Sequence, residues 1–464
     1  MKNLYNLYKK NINIKDVKTN SKEITNNDLF ACIKGVEEDR HKYIDEAINN
    51  GASLLIVSKQ GNYSIPFVKV KNVEKELVRV LKYVYNDYSK INLIGVTGTD
   101  GKTTTATIIK YLLDDCSYIG TNGIISKSIN EDLNNTTPSI EKTYYYLDKI
   151  AKDKTKYVSI EASSEGLLHK RLNGLLFKRA IITNITEDHL NVHKTIENYI
   201  NCKKLLFKQL DKDGVAILNR DDKYYDKFKS IKRKKYTYGF NRYSTLRIID
   251  YKLNSDSTII KYKYNKKYYV IKSPLLGLFN IYNLSAAILT MLSLNYNFDY
   301  INKKIKNIKT IKGRVEFLNY NTNYKIVIDY AHTENGIKEI LTYLNSIKKG
   351  RIITVTGAAG GREKENRKKK GIVLQSLSDL VIYTMDDPRY EKVSDIINMM
   401  IDNNRANYVI EEKREVAISK ALSMAGKDDI VAILGKGRDT YMAIEDKKVY
   451  YSDIDVINKY FEKL

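Results

Sequence analysis

The 464-residue chain is 43% hydrophobic and 29% charged, and 79 Lys and Arg against 55 Asp and Glu leave a formal charge of +24. That length predicts two to four domains, and the apolar fraction is enough to bury real cores, which excludes global disorder. Three scattered cysteines, Cys32, Cys116 and Cys202, argue against a disulfide framework or a zinc module. With no apolar run of about 18 residues, the expectation is a soluble cytoplasmic protein without membrane insertion.

Residues 1–88 alternate short helical patterns with apolar strands such as Ala52 to Val57, and the opening MKNLYNLYKKNINIK lacks the apolar core of a signal peptide. INLIGVTGTDGKTTTATIIKYLL then reads as a buried strand, a glycine-rich turn and a long helix. KYVSIEA, ending near Glu161, KRAIITNI, ending near Ile185, and GVAILN, ending at Asn219, alternate with helical patterns. They predict a mainly parallel sheet covered on both faces. From Tyr236 to Lys272 the two-residue alternation predicts an antiparallel appendage.

After Lys312 a second series begins: YKIVIDYAH, GRIITVTGAAGG, DLVIYTMDDPR and DDIVAILGKGRD each carry an apolar strand into a Gly- or Asp-rich turn. Ligands of open α/β sheets bind outside such strand ends, so a second ligand site is expected there. The class is α/β with three domains: a small leader over 1–88, a central phosphate-loop domain over 89–311 and a C-terminal Rossmann-like domain over 312–464.

The basic balance invites a nucleic-acid reading, and KYKYNKKYYVI would suit one. However, the chain is crowded with Lys, Asn, Ile and Tyr, and has only 4 prolines and no tryptophan. Those four residue types share A/T-rich codons. Codon composition accounts for the charge, and no nucleic-acid partner is expected.

The strongest local signal is Gly95-Val96-Thr97-Gly98-Thr99-Asp100-Gly101-Lys102-Thr103. Glycines let backbone N–H groups crowd phosphate oxygens, and the following helix presents its positive end. Lys102 can neutralise outer phosphates, while the Thr103 hydroxyl can reach magnesium. IEASSEGL offers Glu161, and TNITEDHLNVH offers Asp188, His189 and His193. Alone, Glu161 reads equally well as a helix-capping acid, whereas His189 is more often a packed histidine than a ligand and Lys203 is an ordinary solvated helical lysine.

Taken in order, GVTGTDGKTTT, TTPS, EASSEGL, TNITEDHLNVH, ENYINCKKLLF, GLFNIYN, GRVE, DYAHT, GAAGGREKENR, DDPR and GKGRD resemble the Mur ligases over nearly the whole chain. Within that family the pattern is similar to the members that add the third residue of the peptidoglycan stem. The resemblance implies an ATP-dependent amide ligase acting on UDP-MurNAc-L-Ala-D-Glu through an acyl phosphate, with a diamino acid as the third substrate. It implies a monomer.

For ATP it implies Gly98, Thr99, Gly101, Lys102, Thr103, Thr104, Asn280, Asn283, Arg314, Asp329 and His332. Lys102, Glu161, His189 and Lys203 would be catalytic. Magnesium would be held by Thr103, Glu161, His189 and Lys203, the lysine carried as a carbamate. The UDP-sugar dipeptide would meet Ser21, Thr136, Thr137, Ser163, His169 and Arg171.

For the amino acid the resemblance implies Asp386, Asp387, Arg389, Gly435 and Asp439. The family's Asp-Asn-Pro-Arg appears as Asp386-Asp387-Pro388-Arg389, keeping the arginine that grips a distal carboxylate in a two-point bond. Gly-Lys-Gly-His-Glu appears as Gly435-Lys436-Gly437-Arg438-Asp439, and Ala359 and Gly361 stand where glycine and aspartate are usual. Arg389 favours a diamino diacid such as meso-diaminopimelate. Lysine, lanthionine or a Mur-like ligase of another pathway remain as alternatives. A nucleic-acid-binding NTPase lacks its Walker-B strand here.

Overall fold

A computed structural model describes residues 14–35, 38–254, 256–361 and 364–463. The opening residues, and Arg362 and Glu363 of GAAGGREKENR, lie outside the described residues. The chain forms two compact units and passes between them several times. One comprises 1–95, 115–180 and 205–214, the other 96–114, 181–204 and 215–464.

In the first unit the leader is a four-stranded sheet of Val17–Lys18, Asp28–Ala31, Ala52–Val57 and Phe67–Lys69, in that order and parallel throughout. Phe30, Leu55 and Val57 pack with Ile44 and Ala47 of the covering helix. The two central strands, Asp28–Ala31 and Ala52–Val57, are buried on both faces, which is why they read as near-continuous apolar runs. The same unit holds the parallel pair Cys116–Gly120 and Tyr157–Glu161, with Gly123–Ile125 antiparallel to the former.

In the second unit, Val215 to Asn219 pairs in parallel with Lys234–Gly239, which pairs in parallel with Leu246–Leu253. The antiparallel appendage is therefore Leu246–Leu253, Thr258–Tyr264 and Lys267–Ser273. It starts about one strand later than the tyrosine alternation suggested. Tyr238 explains the difference: its ring is fully buried and its hydroxyl donates to the Ile182 carbonyl at 3.0 Å. A tyrosine with its hydroxyl satisfied inside the protein has the periodicity of a half-exposed strand and the position of a covered one.

The C-terminal sheet runs Glu316–Leu318, Lys325–Asp329, Ile430–Leu434, Ile352–Thr356, Leu380–Tyr383 and Tyr408–Ile410, parallel except for the first strand. Alternate residues feed opposite faces. Ile430, Ala432 and Leu434 join the core under the helices Glu334–Ile347 and Lys364–Leu377. Val431 and Ile433 join the core under Arg414–Met424 and Asp453–Phe461. Two covered faces leave the strand ends as the place for chemistry.

Candidate active site

The strand Asn92–Thr97 ends in the glycine-rich turn, and the helix Lys102–Leu112 starts directly after it. Gly101 caps that helix at φ 79°. A Cβ there would lie 2.2 Å from Asn283 Oδ1, so glycine is needed both for the dihedral and for the close approach. The turn is pinned from the neighbouring strand end: Thr99 N–H donates to the Asn184 carbonyl and Asp100 N–H to its Oδ1, both at 2.9 Å. Thr183 Oγ1 donates to the Asp100 carbonyl at 2.6 Å. Lys102 folds back over the turn, donating to the Thr99 carbonyl at 2.7 Å. Thr103 and Thr104 are buried behind it.

Asn280 and Asn283 share a side of the helix Leu278–Ser293. Asn283 donates to Asn280 Oδ1 at 3.1 Å and accepts from Thr105 Oγ1 at 3.3 Å. Both asparagines are thus brought to the phosphate turn.

Lys203, on the helix Ile196–Lys208, is only 1% exposed. This corrects the solvated reading. Its Nζ donates to the Gly98 carbonyl at 2.7 Å and sits 4.2 Å from the Tyr199 ring centre. Among the described residues no carboxylate lies within ion-pair distance of it. Burial, with the nearby Lys102 charge as the next contribution, holds its amine well below the usual lysine range. Tyr199 itself escaped the sequence reading. Its hydroxyl shares a 3.2 Å hydrogen bond with Thr99 Oγ1, so one ring connects the turn to Lys203. The available signal was its spacing, four residues before the lysine on one helix face.

His189 adopts the left-handed conformation at φ 55°. Asp188 backs it, accepting from the His189 N–H at 2.9 Å and lying 3.4 Å from Nε2. Arg314 reaches the same turn, donating to Thr103 Oγ1 at 3.1 Å while stacking 4.7 Å over Tyr330. Thr333 Oγ1 donates to Asp100 Oδ1 at 3.1 Å. Asp329 spends both carboxylate oxygens on backbone, accepting from Val315 N–H of the GRVE segment at 2.6 Å and from Ala331 N–H of its own turn at 2.7 Å. Burial raises its carboxyl, partly offset by Arg314 and those two N–H groups. His332 is exposed, with Nδ1 2.8 Å from the Tyr330 carbonyl.

The first unit gathers a hydroxyl-rich cluster. Buried Glu161 accepts from Tyr118 Oη, from Thr121 N–H at 3.0 Å and from Thr121 Oγ1 at 3.3 Å. Thr121 Oγ1 meets Thr136 Oγ1 at 3.1 Å. Thr137 Oγ1 donates to the Glu161 carbonyl at 2.7 Å and meets Ser163 Oγ at 3.1 Å. Arg171 donates to the Thr137 carbonyl at 3.0 Å. Four residues expected at one substrate, Thr136, Thr137, Ser163 and Arg171, thus lie together with Glu161. His169 lies exposed at the end of the short helix Ser164–Leu168. Ser21 donates to Glu46 Oε2 at 2.6 Å within the leader.

In the C-terminal domain Lys436, 1% exposed, is enclosed by three carboxylates: Asp387 at 2.8 Å, Asp439 at 3.7 Å and Asp386 at 3.9 Å. Burial alone would lower it, but Asp386, Asp387 and Asp439 outweigh that and hold it above the ordinary lysine value. Burial and the two neighbouring aspartates push Asp439 up to about 6 against the pull of Lys436. A Cβ on Gly435 would lie 2.3 Å from Asp386 Oδ2. Arg438 turns away from this group and grips Glu316 of GRVE with 3.0 and 2.5 Å bonds. Among the described residues the half-buried Arg389 guanidinium enters no hydrogen bond or ion pair. Next to it, a Cβ on Gly360 would fall 1.9 Å from the Pro388 carbonyl, so the GAAGG turn is packed directly on DDPR.

Three family models match the chain: "Mur ligase family, catalytic domain" over residues 13–91, "Mur ligase middle domain" over 96–291 and "Mur ligase, glutamate ligase domain" over 313–437. The UDP-N-acetylmuramoyl-L-alanyl-D-glutamate–2,6-diaminopimelate ligase of Clostridium tetani is 34% identical, covering 99% of this chain and 98% of its own. The second such ligase of Clostridium acetobutylicum is 36% identical over 97% of this chain and 95% of its own. A solved structure of a ligase of the same name superposes with a TM-score of 0.66 at 25% identity, covering 97% of this chain and 95% of its own. The phosphate turn, the strand-end residues around it and these matches lead to one conclusion: the chain belongs to the Mur ligase family, and is an ATP-dependent ligase of peptidoglycan synthesis.

Proposed function

We propose that the enzyme adds a diamino diacid, meso-diaminopimelate, to UDP-MurNAc-L-Ala-D-Glu. The observation that carries this choice is Arg389, which is half-buried and without an ion pair among the described residues. A planar guanidinium pairs with a carboxylate in two parallel bonds, and lysine offers no distal carboxylate to meet it. The names of the relatives support the same acceptor.

In the reaction, the D-glutamyl carboxylate attacks the γ-phosphorus of ATP, and ADP departs. The amine of the incoming amino acid then attacks the acyl phosphate, inorganic phosphate leaves, and the amide remains. Charge accumulates on the transferring phosphoryl group, so fixed cations and N–H dipoles carry most of the catalysis. Lys102, the N-terminus of its helix and Arg314 supply them. The Thr136, Thr137, Ser163 and Arg171 cluster would orient the dipeptide, with Ser21 and His169 as further contacts.

Lys203 is suited to a carbamate. A buried amine without a carboxylate partner, beside another cation, is better placed as the neutral nucleophile that takes up carbon dioxide than as an ammonium ion. The resulting anionic oxygens would join Thr103 and His189 in holding magnesium, which prefers hard oxygen ligands and phosphate. Bound there, magnesium would neutralise phosphate oxygens as a Lewis acid.

The test is ATP hydrolysis by the purified enzyme with UDP-MurNAc-dipeptide and a panel of meso-diaminopimelate, lysine and lanthionine. Turnover should require both the sugar dipeptide and an amino acid, with diaminopimelate the best. Stimulation by DNA or RNA, with none by the sugar dipeptide, would refute the ligase reading. Preference for lysine would refute the role of Arg389.

A further inference from the structure

We propose that Asp387 is a positioning residue that sets the conformation of Arg389 and thereby the enzyme's selectivity for a second carboxylate. The inference rests on the reading of Arg389 as the group that meets the amino acid's distal end.

DDPR is a strained turn. Asp387 has φ 45° and Arg389 φ 52°, a region where an L side chain crowds its own backbone, and such residues persist only where surrounding contacts over-determine them. Asp387 supplies those contacts. Its Oδ1 accepts from Lys436 Nζ at 2.8 Å and from the Ala443 N–H at 2.9 Å. Ala443 belongs to the hairpin of Tyr441–Ile444 and Lys447–Tyr450. That hairpin holds Arg389 directly: the Arg389 N–H donates to the Ala443 carbonyl, and the Glu445 N–H donates to the Arg389 carbonyl, each at 3.0 Å. On the other side the Gly360 N–H donates to the Asp387 carbonyl at 3.0 Å.

One carboxylate oxygen therefore ties three segments together: the GKGRD turn through Lys436, the hairpin through Ala443, and DDPR through its own backbone. That oxygen is occupied, while the Arg389 guanidinium two residues on is not engaged by any described residue. The division of labour follows: Asp387 holds and Arg389 binds. An amide at position 387 keeps one acceptor oxygen for Lys436 and Ala443 but loses the charge, and Lys436 would retain Asp386 and Asp439. An alanine removes the acceptor altogether.

The experiment is a double-mutant cycle read as steady-state constants for each of the three substrates. Asp387→Ala should raise KM for diaminopimelate by about 30-fold, with kcat and the KM for ATP within about threefold of wild type. Asp387→Asn should recover most of that loss. In an Arg389→Ala background, Asp387→Ala should change the diaminopimelate KM no further, because the residue acts through an arginine that is gone. Equal damage in both backgrounds, or a parallel rise in KM for all three substrates, would overturn the proposal. Should Asp387→Ala fail to fold, Asp387→Asn carries the same test, its smaller effect vanishing in the Arg389→Ala background. An unchanged diaminopimelate KM in Arg389→Ala alone would remove the reading of Arg389 itself, and the proposal with it.

Discussion

Lys203 and Lys436 are equally buried, at 1% exposure each, yet they have opposite electrostatic fates. Lys203 meets a carbonyl and a ring and sits near a second cation. Lys436 meets three carboxylates. Burial penalises the ammonium form in both, and the neighbours decide whether it survives. The first lysine therefore has its ammonium form disfavoured, and the second has it held in place by its neighbours. Depth alone says nothing about what a buried lysine is for.

The comparison can be broken most sharply at Lys203. Lys203→Ala should lower kcat by at least about 10²–10³-fold, the loss typical of removing one preorganised charge-stabilising group. Small carboxylates should restore part of it by replacing the carbamate oxygens. Full turnover in the unrescued variant would sink the carbamate role. At the amino-acid end, Arg389→Ala should cost about 2–5 kcal/mol in diacid binding, as for one partner of a buried charged pair. The check is KM for diaminopimelate against that for lysine.

Stability should separate the two lysines in the opposite sense. Lys436→Met leaves three crowded aspartates without their cation and should destabilise by about 3–5 kcal/mol, visible as a lowered melting temperature. Lys203→Met removes a buried amine with no ion pair and should leave the melting temperature nearly unchanged. Equal shifts would show that neighbours matter less than burial.

A smaller effect is expected from pH. Asp439 carries a raised folded-state value of about 6, so the native state binds the extra proton between the unfolded carboxylate value and about 6. Its ionisation lowers stability as pH rises through that window. The same ionisation creates the anion that would meet the amino acid's ammonium group, so KM for the amino acid should fall as pH rises past about 6. Asp439→Asn should flatten that profile. The smallest effect is expected at Arg438→Ala, whose partly exposed pair with Glu316 should contribute about 1 kcal/mol or less, with little change in the amino-acid KM.

Much of this protein is legible along the chain. The phosphate turn is a contiguous run in which glycine conformation, helix start and lysine position all follow from neighbours in sequence. The C-terminal strands announce themselves because both faces are covered. Legibility fails where contacts are long-range or residue types are ambiguous. The stretch around Tyr238 read as part of the antiparallel appendage because its alternation does not show that the Tyr238 hydroxyl finds the Ile182 carbonyl 56 residues away. Whether Arg438 faces the substrate could not be read along the chain, because its partner Glu316 lies 122 residues earlier.

The sequence by itself determined the order of strands and turns, the chemistry of the phosphate loop and membership in the Mur ligase family, all properties of local pattern and motif order. Only the tertiary structure decided which charges are spent on holding the fold and which are left for ligands. That among the described residues neither Lys203 nor the Arg389 guanidinium meets a carboxylate at ion-pair distance, and that Asp387 Oδ1 is held by Lys436 and Ala443, are facts of proximity and desolvation. Both depend on which distant segments fold together, and a linear pattern carries no distance.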